Sequence, residues 1–369
     1  MKRLTFLDLA PEQQDHLLDL PFEGRYLVSG PPGTGKTELA VQRAVMLDIA
    51  GRDVVFLTFS NVLRQYADTL ARHLGFRGTV TTCHKWFKNL WIRHFHREPP
   101  RAEDDVGLDW TQMLVQLARS RARLSGEVGA LVVNEGQNLP REFYALCSHL
   151  TANATVFADD NQRIDEGQST LGEIERLLGR DTQHRRIIGN HRNTRQIAEF
   201  ANHFYCGPSD RFPPLPERQG PTPTIRRFRT PDTFADVLAT FAKANPGQEI
   251  GVVLRHKKKC ISLHDELYDR GIRKVQSYVS DSFRFREVDF TRPGIRILSP
   301  PSTGGQEFDT LFIPNLELYG GDPSSATLRM QLYSLATLAR NELYLSYGTD
   351  QEPELTRDVP DSLLTRVGT

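Results

Sequence analysis

Eight residues, "GPPGTGKT" at 30–37, combine the types and spacing that hold a phosphate. Gly30, Gly33 and Gly35 allow backbone conformations that point successive N–H groups inward at an anion, and Thr34 lies within the same turn. Lys36 is long enough to reach terminal phosphates, and Thr37 can offer its hydroxyl to magnesium. The flanks match what the GxxxxGK[ST] pattern needs, because the apolar run "RYLVSG" (25–30) precedes the loop and a helical pattern follows it. Nucleotide binding is the chemistry this stretch implies. A second stretch, "LVVNEGQNLP" (131–140), ends an apolar run in Asn134, Glu135, Gln137 and Asn138, where a magnesium site would call for carboxylates. Glu135 is the one acid there, and an amide oxygen is a poorer ligand for a hard cation than a carboxylate.

Both stretches need a scaffold of alternating strands and helices. "RYLVSG" (25–30), "DVVFLTF" (53–59), "GALVVN" (129–134) and "ATVFA" (154–158) are short, apolar and bounded by turn residues, as parallel strands buried on both faces should be. Between them, Leu39, Ala40, Ala44 and Leu47 share one helix face, and Ser60 can cap a helix carrying Leu63, Tyr66, Leu70 and Leu74. The pattern restarts beyond 181 with a helix bearing Ile197, Phe200, Ala201 and Phe204, then strands in "EIGVVLR", "GIRILS", "DTLFIP" and "ELYLSY". The proline-rich stretch 207–224 punctuates the second half, and 88–128 has no clear assignment. The expected fold class is α/β with mainly parallel sheets in two domains, 1–180 and 181–369.

Length agrees, since 369 residues exceed the size at which one hydrophobic core stops growing, about 250–300 residues. Lys plus Arg equals Asp plus Glu at 46 each, so no global field draws the chain to a polyanion and any nucleic-acid surface must be local. Cys83, Cys147, Cys206 and Cys260 lack CxxC spacing, which argues against zinc and a disulfide framework and reads as free buried thiols. Asp8, Glu12 and Asp15 interrupt the N-terminal apolar pattern, and the expected location is cytoplasmic, away from membranes.

Beyond the phosphate loop, a series of stretches in order resembles the UvrD-like superfamily 1 helicases. "LAPEQQ" (9–14) is similar to the family's adenine-reading motif, with Gln13 in place; "FLTFSN" (56–61) and "TTCHKW" (81–86) are similar to its strand-contacting motifs. "FADDNQRI" (157–164), "GNHRNTRQIAEFAN" (189–202), "GGQEFDTLFIP" (304–314) and "RMQLYSLATLAR" (329–340) resemble later motifs. The resemblance implies two RecA-like P-loop domains with ATP and magnesium as cofactors and single-stranded DNA as partner. It implies roles by position: Glu135 as base, Gln162 and Arg192 on the terminal phosphate, His191 stacking on adenine, and Glu307 within the nucleotide site. Thr37 and Asn134 stand at the metal positions, and Thr58, Asn61, Thr82, His84 and Trp86 at the strand-binding ones.

The sequence also departs from the family. Asn134 replaces the metal-holding aspartate, Asn138 a second acid, Gly304 a lysine, and Asp165 follows "QRI" where many members carry an aromatic. Leu338 stands where the family has its arginine finger, a group worth about a thousandfold to a hundred-thousandfold in rate. Arg340, two places on, reads as a solvated helix-face residue. The nucleotide-holding residues are kept and those completing hydrolysis are changed. The first expectation is therefore an ATP-binding homologue with weak or absent hydrolysis, acting as a nucleotide-gated switch or as a subunit beside a partner such as a nuclease. An active DNA-dependent ATPase and a DNA-binding accessory protein with a vestigial ATP site are the alternatives.

The basic clusters "RHKKK" (255–259) and "IRRFR" (225–229) read as solvated faces, and "FRFRE" (283–287) as an edge strand. His94 and His96 lack a matching pair at zinc spacing.

Overall fold

The apolar runs of the first half become neighbouring parallel strands. The computed structural model describes residues 5–102, 107–120, 126–159, 168–207, 214–279, 282 and 284–368. The chain divides into two compact units, Lys2–Pro31 with Gly35–Ile188, and Gly189–Thr369 with Pro32–Thr34.

The first unit carries α1 (Pro11–Leu18), β1 (Arg25–Ser29), α2 (Lys36–Ile49), β2 (Val54–Thr58), α3 (Asn61–His73), β3 (Thr79–Thr82) and α4 (Cys83–Phe95). It continues through α5 (Trp110–Arg119), β4 (Ala130–Asn134), α6 (Arg141–Ser148), β5 (Ala154–Ala158), α7 (Leu171–Leu178) and β6 (Gln183–Arg186). Six strands form one sheet in the order β3-β2-β4-β5-β1-β6, every pair parallel. Strands β2, β4 and β5 are buried along their whole length, which is why their sequences are continuous apolar runs rather than alternating ones. Helices α4 to α7 cover one side, where Phe87, Trp91, Trp110, Met113, Phe143 and Leu178 share a core with Leu57, Leu131 and Val156. The unassigned stretch 88–128 thus holds the end of α4 and all of α5. Ser60 caps α3, its hydroxyl accepting from the Leu63 N–H at 3.1 Å.

The second unit has α8 (Arg195–His203), β7 (Thr224–Arg227), α9 (Pro231–Ala244), β8 (Glu249–Val253), α10 (Lys257–Asp269), β9 (Val275–Ser277) and β10 (Gly294–Leu298). After these come β11 (Phe308–Ile313), α11 (Ala326–Ala336), β12 (Ala339–Tyr347), α12 (Glu354–Arg357) and β13 (Thr365–Val367). Its seven strands run β13-β7-β12-β11-β8-β10-β9, again all parallel. Leu238, Val252, Leu267, Ile297 and Phe312 belong to its core. The whole is α/β, two mainly parallel sheets with helices between strands, the architecture of two RecA-like domains.

Several expectations change. The division falls after Ile188 rather than near 180, because β6 hydrogen-bonds parallel to β1 and completes the first sheet. "IRRFR" lies mostly in β7, where Ile225 is buried in the sheet while Arg226 and Arg229 stay exposed as a solvated face. "FRFRE" forms a turn over its described residues, and Phe285 leaves the surface to join the core beside His264. Cys83, Cys147 and Cys260 are buried free thiols, whereas Cys206 is exposed. Among the described residues no helix is long and apolar enough to cross a membrane.

Candidate nucleotide site

Strand order places the loop. In register, Ser29 at the end of β1 lies opposite Ala158 at the end of β5, and Asn134 at the end of β4 lies opposite Thr58 at the end of β2. The carboxyl ends of these strands therefore line one edge of the sheet, where open α/β sheets bind ligands. The turn out of β1 is left-handed at Gly33 and Gly35, with φ of +89° and +78°. A Cβ at Gly35 would lie 2.3 Å from the Gln13 side-chain nitrogen, so only glycine lets that amide approach. Gln13 is buried and accepts from the Ala10 N–H at 2.9 Å, which caps the start of α1.

Lys36 is 8% exposed, and its ammonium donates to the Gly30 carbonyl at 2.7 Å, the Pro31 carbonyl at 2.9 Å and the Asp159 carboxylate at 3.1 Å. All three protons are spent. Asp159 is fully buried and follows β5 directly.

Thr37 and Asn134 meet as a hydroxyl and an amide, with Asn134 Nδ2 donating to Thr37 Oγ1 at 3.1 Å. Asn134 is fully buried and its Oδ1 has no hydrogen-bond partner. Turning the amide over would strand the nitrogen instead, so one polar atom remains unspent in either orientation, a costly state away from water. Glu135 adopts a left-handed conformation, φ +58°, that costs a non-glycine residue about 1–2 kcal/mol. Its carboxylate accepts from Gln137 Nε2 at 2.6 Å, and the same amide's oxygen accepts from the Asp159 N–H at 3.0 Å. Gln137, buried, thus ties the β4 turn to the end of β5.

Among the described residues no group of three or more His, Cys, Asp or Glu could hold a metal ion. The orphaned amide oxygen beside a hydroxyl still suits magnesium, which keeps several waters and takes few protein ligands when phosphates are present.

The second unit builds its own cluster. Arg192 Nε donates to Glu307 Oε2 at 2.7 Å, and Arg340 pairs with Glu307 Oε1 and, at 3.3 Å, with Asp309. Burial alone would raise the Glu307 pKa, but Arg340 and Arg192 hold it down at about 2. Arg340 is consequently not a solvated helix-face residue; it is the second residue of β12, and both ends of its guanidinium are paired. Asn193 donates to the carbonyls of Thr337 at 3.0 Å and Ala339 at 2.6 Å, clamping the turn on both sides of Leu338. Leu338 is buried. Arg218 adds donors to the Arg192 and Arg340 carbonyls, and burial followed by the neighbouring Arg340 charge lowers its own pKa. His191 precedes this cluster and is exposed. Gln162 and Asp165 lie outside the described residues.

The five residues aligned with strand-binding motifs sit at the end of β2, the start of α3, the end of β3 and in α4. Thr58 is buried, its hydroxyl on the Ser60 carbonyl at 3.0 Å, and Thr82 caps α4 through the Lys85 N–H at 3.4 Å. Asn61 accepts from Arg64 at 2.9 Å. Trp86 is half-buried against the core. Burial lowers the His84 pKa, so the ring is neutral at pH 7 and brings no cation to a phosphate. His84 lies edge-on to Phe59 at 5.8 Å, and Phe59 is 43% exposed. Spacing did not single out Phe59 or Asp159, although both lie inside quoted motifs; an exposed aromatic and an acid directly after a strand were the available signals.

Residues 22–168 match the family of AAA domains, a P-loop class. No curated protein matches the chain. Among solved structures, the C-terminal domain of a possible DNA helicase from Lactobacillus plantarum WCFS1 is similar at 20% identity and a TM-score of 0.36, covering 47% of this chain and 97% of that one.

Proposed function

We propose that the chain is a UvrD-like superfamily 1 helicase homologue that binds ATP with magnesium and turns it over slowly or not at all, serving as a nucleotide-gated switch or as a subunit of a DNA-acting complex. One observation carries the reading: a complete phosphate loop, with Lys36 buried among acceptors, faces an amide at Asn134 instead of a carboxylate. The AAA-domain match over 22–168 supports nucleotide binding. Backbone N–H groups of the loop and the start of α2 would bind the phosphates, and Lys36 would neutralise them. Thr37 Oγ1 and Asn134 Oδ1 would hold magnesium, which supplies charge stabilisation to the phosphoryl group. Glu135 is the base that orients water, and Gln137 fixes its carboxylate. Leu338 offers no cation, and Arg340 is engaged with two acids.

Turnover with saturating ATP, magnesium and single-stranded DNA is expected below about 0.01 s⁻¹, a thousandfold under an ordinary enzyme rate. Binding of ATP should persist and fall in Lys36→Ala by about a hundredfold, the loss of a charge-assisted contact of roughly 2–3 kcal/mol. A turnover of several per second, or unchanged affinity in Lys36→Ala, sinks the proposal. The exposed Phe59 supports single-stranded DNA as the partner. Phe59→Ala is expected to weaken binding by about 1–3 kcal/mol in a fluorescence-anisotropy titration.

A further inference from the structure

We propose that the second unit holds a binding site of its own, a cavity at the carboxyl edge of its sheet that takes a nucleoside monophosphate: the phosphate at the rim on Arg229 and Lys259, the ring between apolar walls, and a base amino group on Glu266.

Strand order opens the site. Strands β8 and β11 are neighbours, yet the chain leaves β8 through α10 toward β9 on one side and leaves β11 through α11 toward β12 on the other. Adjacent strands whose connections part in this way leave a crevice beyond their carboxyl ends, the place where open α/β sheets take ligands. Here the crevice is a cavity of about 440 Å³, bounded by the turns that follow β7, β8, β11 and β12 and by one face of α10. That volume suits a small molecule.

Its walls sort by chemistry. Phe228, Phe234, Leu254, Leu263 and Tyr347 supply apolar surface. Arg229 and Lys259 stand at the exposed rim, and among the described residues neither side chain has a hydrogen-bond or ion-pair partner. Two free cations beside an apolar hollow select an anion that carries an apolar body. Lys259 lies in the first turn of α10, whose N-terminus has no side-chain cap, so the helix end adds to the same positive field.

The far end of the cavity calls for a donor. Lys259, Ser262, Leu263 and Glu266 lie on one face of α10 and line the cavity together. Seven residues of helix separate Lys259 from Glu266 by about 10 Å, close to the length of a nucleoside monophosphate from phosphate to base edge. Glu266 accepts from the Ser262 hydroxyl at 2.9 Å through Oε1, while its Oε2 is buried and has no partner. A carboxylate oxygen shut away from water without a donor is costly, and a base amino group supplies that donor. Inorganic phosphate alone would leave the oxygen unanswered. Glu317, the other acid on the wall, already accepts from the Gly348 N–H at 3.2 Å and from the Asn315 amide at 3.3 Å.

The full chain is titrated with AMP by calorimetry. Arg229→Ala and Lys259→Ala change exposed positions and should each weaken AMP about tenfold, the worth of one charge-assisted contact. Glu266→Ala should weaken it by a similar factor. Purine riboside 5′-monophosphate, which lacks the amino group, should bind the natural chain about tenfold more weakly than AMP and lose nothing further in Glu266→Ala. Lys36→Ala, in the first unit, should leave this AMP site unchanged. No heat with AMP at millimolar concentration, whether or not a single-stranded oligonucleotide binds, overturns the inference. So does AMP binding that Lys36→Ala abolishes and that Arg229→Ala combined with Lys259→Ala leaves intact.

Discussion

Glu307 serves two guanidinium groups, one carboxylate oxygen facing Arg192 and the other Arg340. These two cations outweigh burial and depress its pKa from 4.5 to about 2. A depressed acid contributes its full stability above the unfolded value and loses it as pH falls through the folded one. The second unit is therefore expected to lose roughly 3 kcal/mol of stability between about pH 4.5 and pH 2, as measured by urea unfolding. Glu307→Gln should abolish that portion of the acid sensitivity. It should also lower stability at pH 7 by about 3–5 kcal/mol, because two part-buried arginines lose their shared anion. A variant as stable as the natural chain would mean that Asp309 alone satisfies Arg340.

At the scale of elements, helix starts are set by short polar side chains that the sequence displays openly. Ser60 caps α3 after a strand whose last hydroxyl, Thr58, is spent on the same turn. Ser60→Ala should cost about 1 kcal/mol in denaturant unfolding, without changing nucleotide affinity, since α3 packs on α2, β2 and β3. Other elements were legible for the same local reason: the runs that became β1, β2, β4 and β5 have continuous apolar centres, and α8 displays Ile197, Phe200 and Ala201 on one buried face. Strand β6 was not legible, because "QHRR" is polar and solvent-facing at the sheet edge, and only its pairing with β1 makes it a strand.

For the whole molecule, the two sheets bury separate apolar clusters, one around Phe87, Trp110 and Phe143 and the other around Leu238, Leu267 and Ile297. Each is a core of its own, so urea unfolding is expected to resolve two transitions. Ser60→Ala should shift one and Glu307→Gln the other. A single transition moved by both variants would show instead that the cores unfold as one.

The phosphate-loop motif and the alternation of apolar runs with helix faces determined an α/β chain with a loop of the phosphate-binding pattern, because both are patterns within a few consecutive turns of backbone. Side-chain partnership across the sheet was decided by strand order. Strand β5 lies between β1 and β4, and that neighbour relation brings Asp159 to Lys36 across 123 residues of sequence. Pairing of β11 with β12 likewise brings Glu307 beside Arg340, which no spacing along the chain could reveal. Spacing along one chain encodes local geometry, whereas a parallel sheet joins residues whose separation in sequence carries no trace of their proximity.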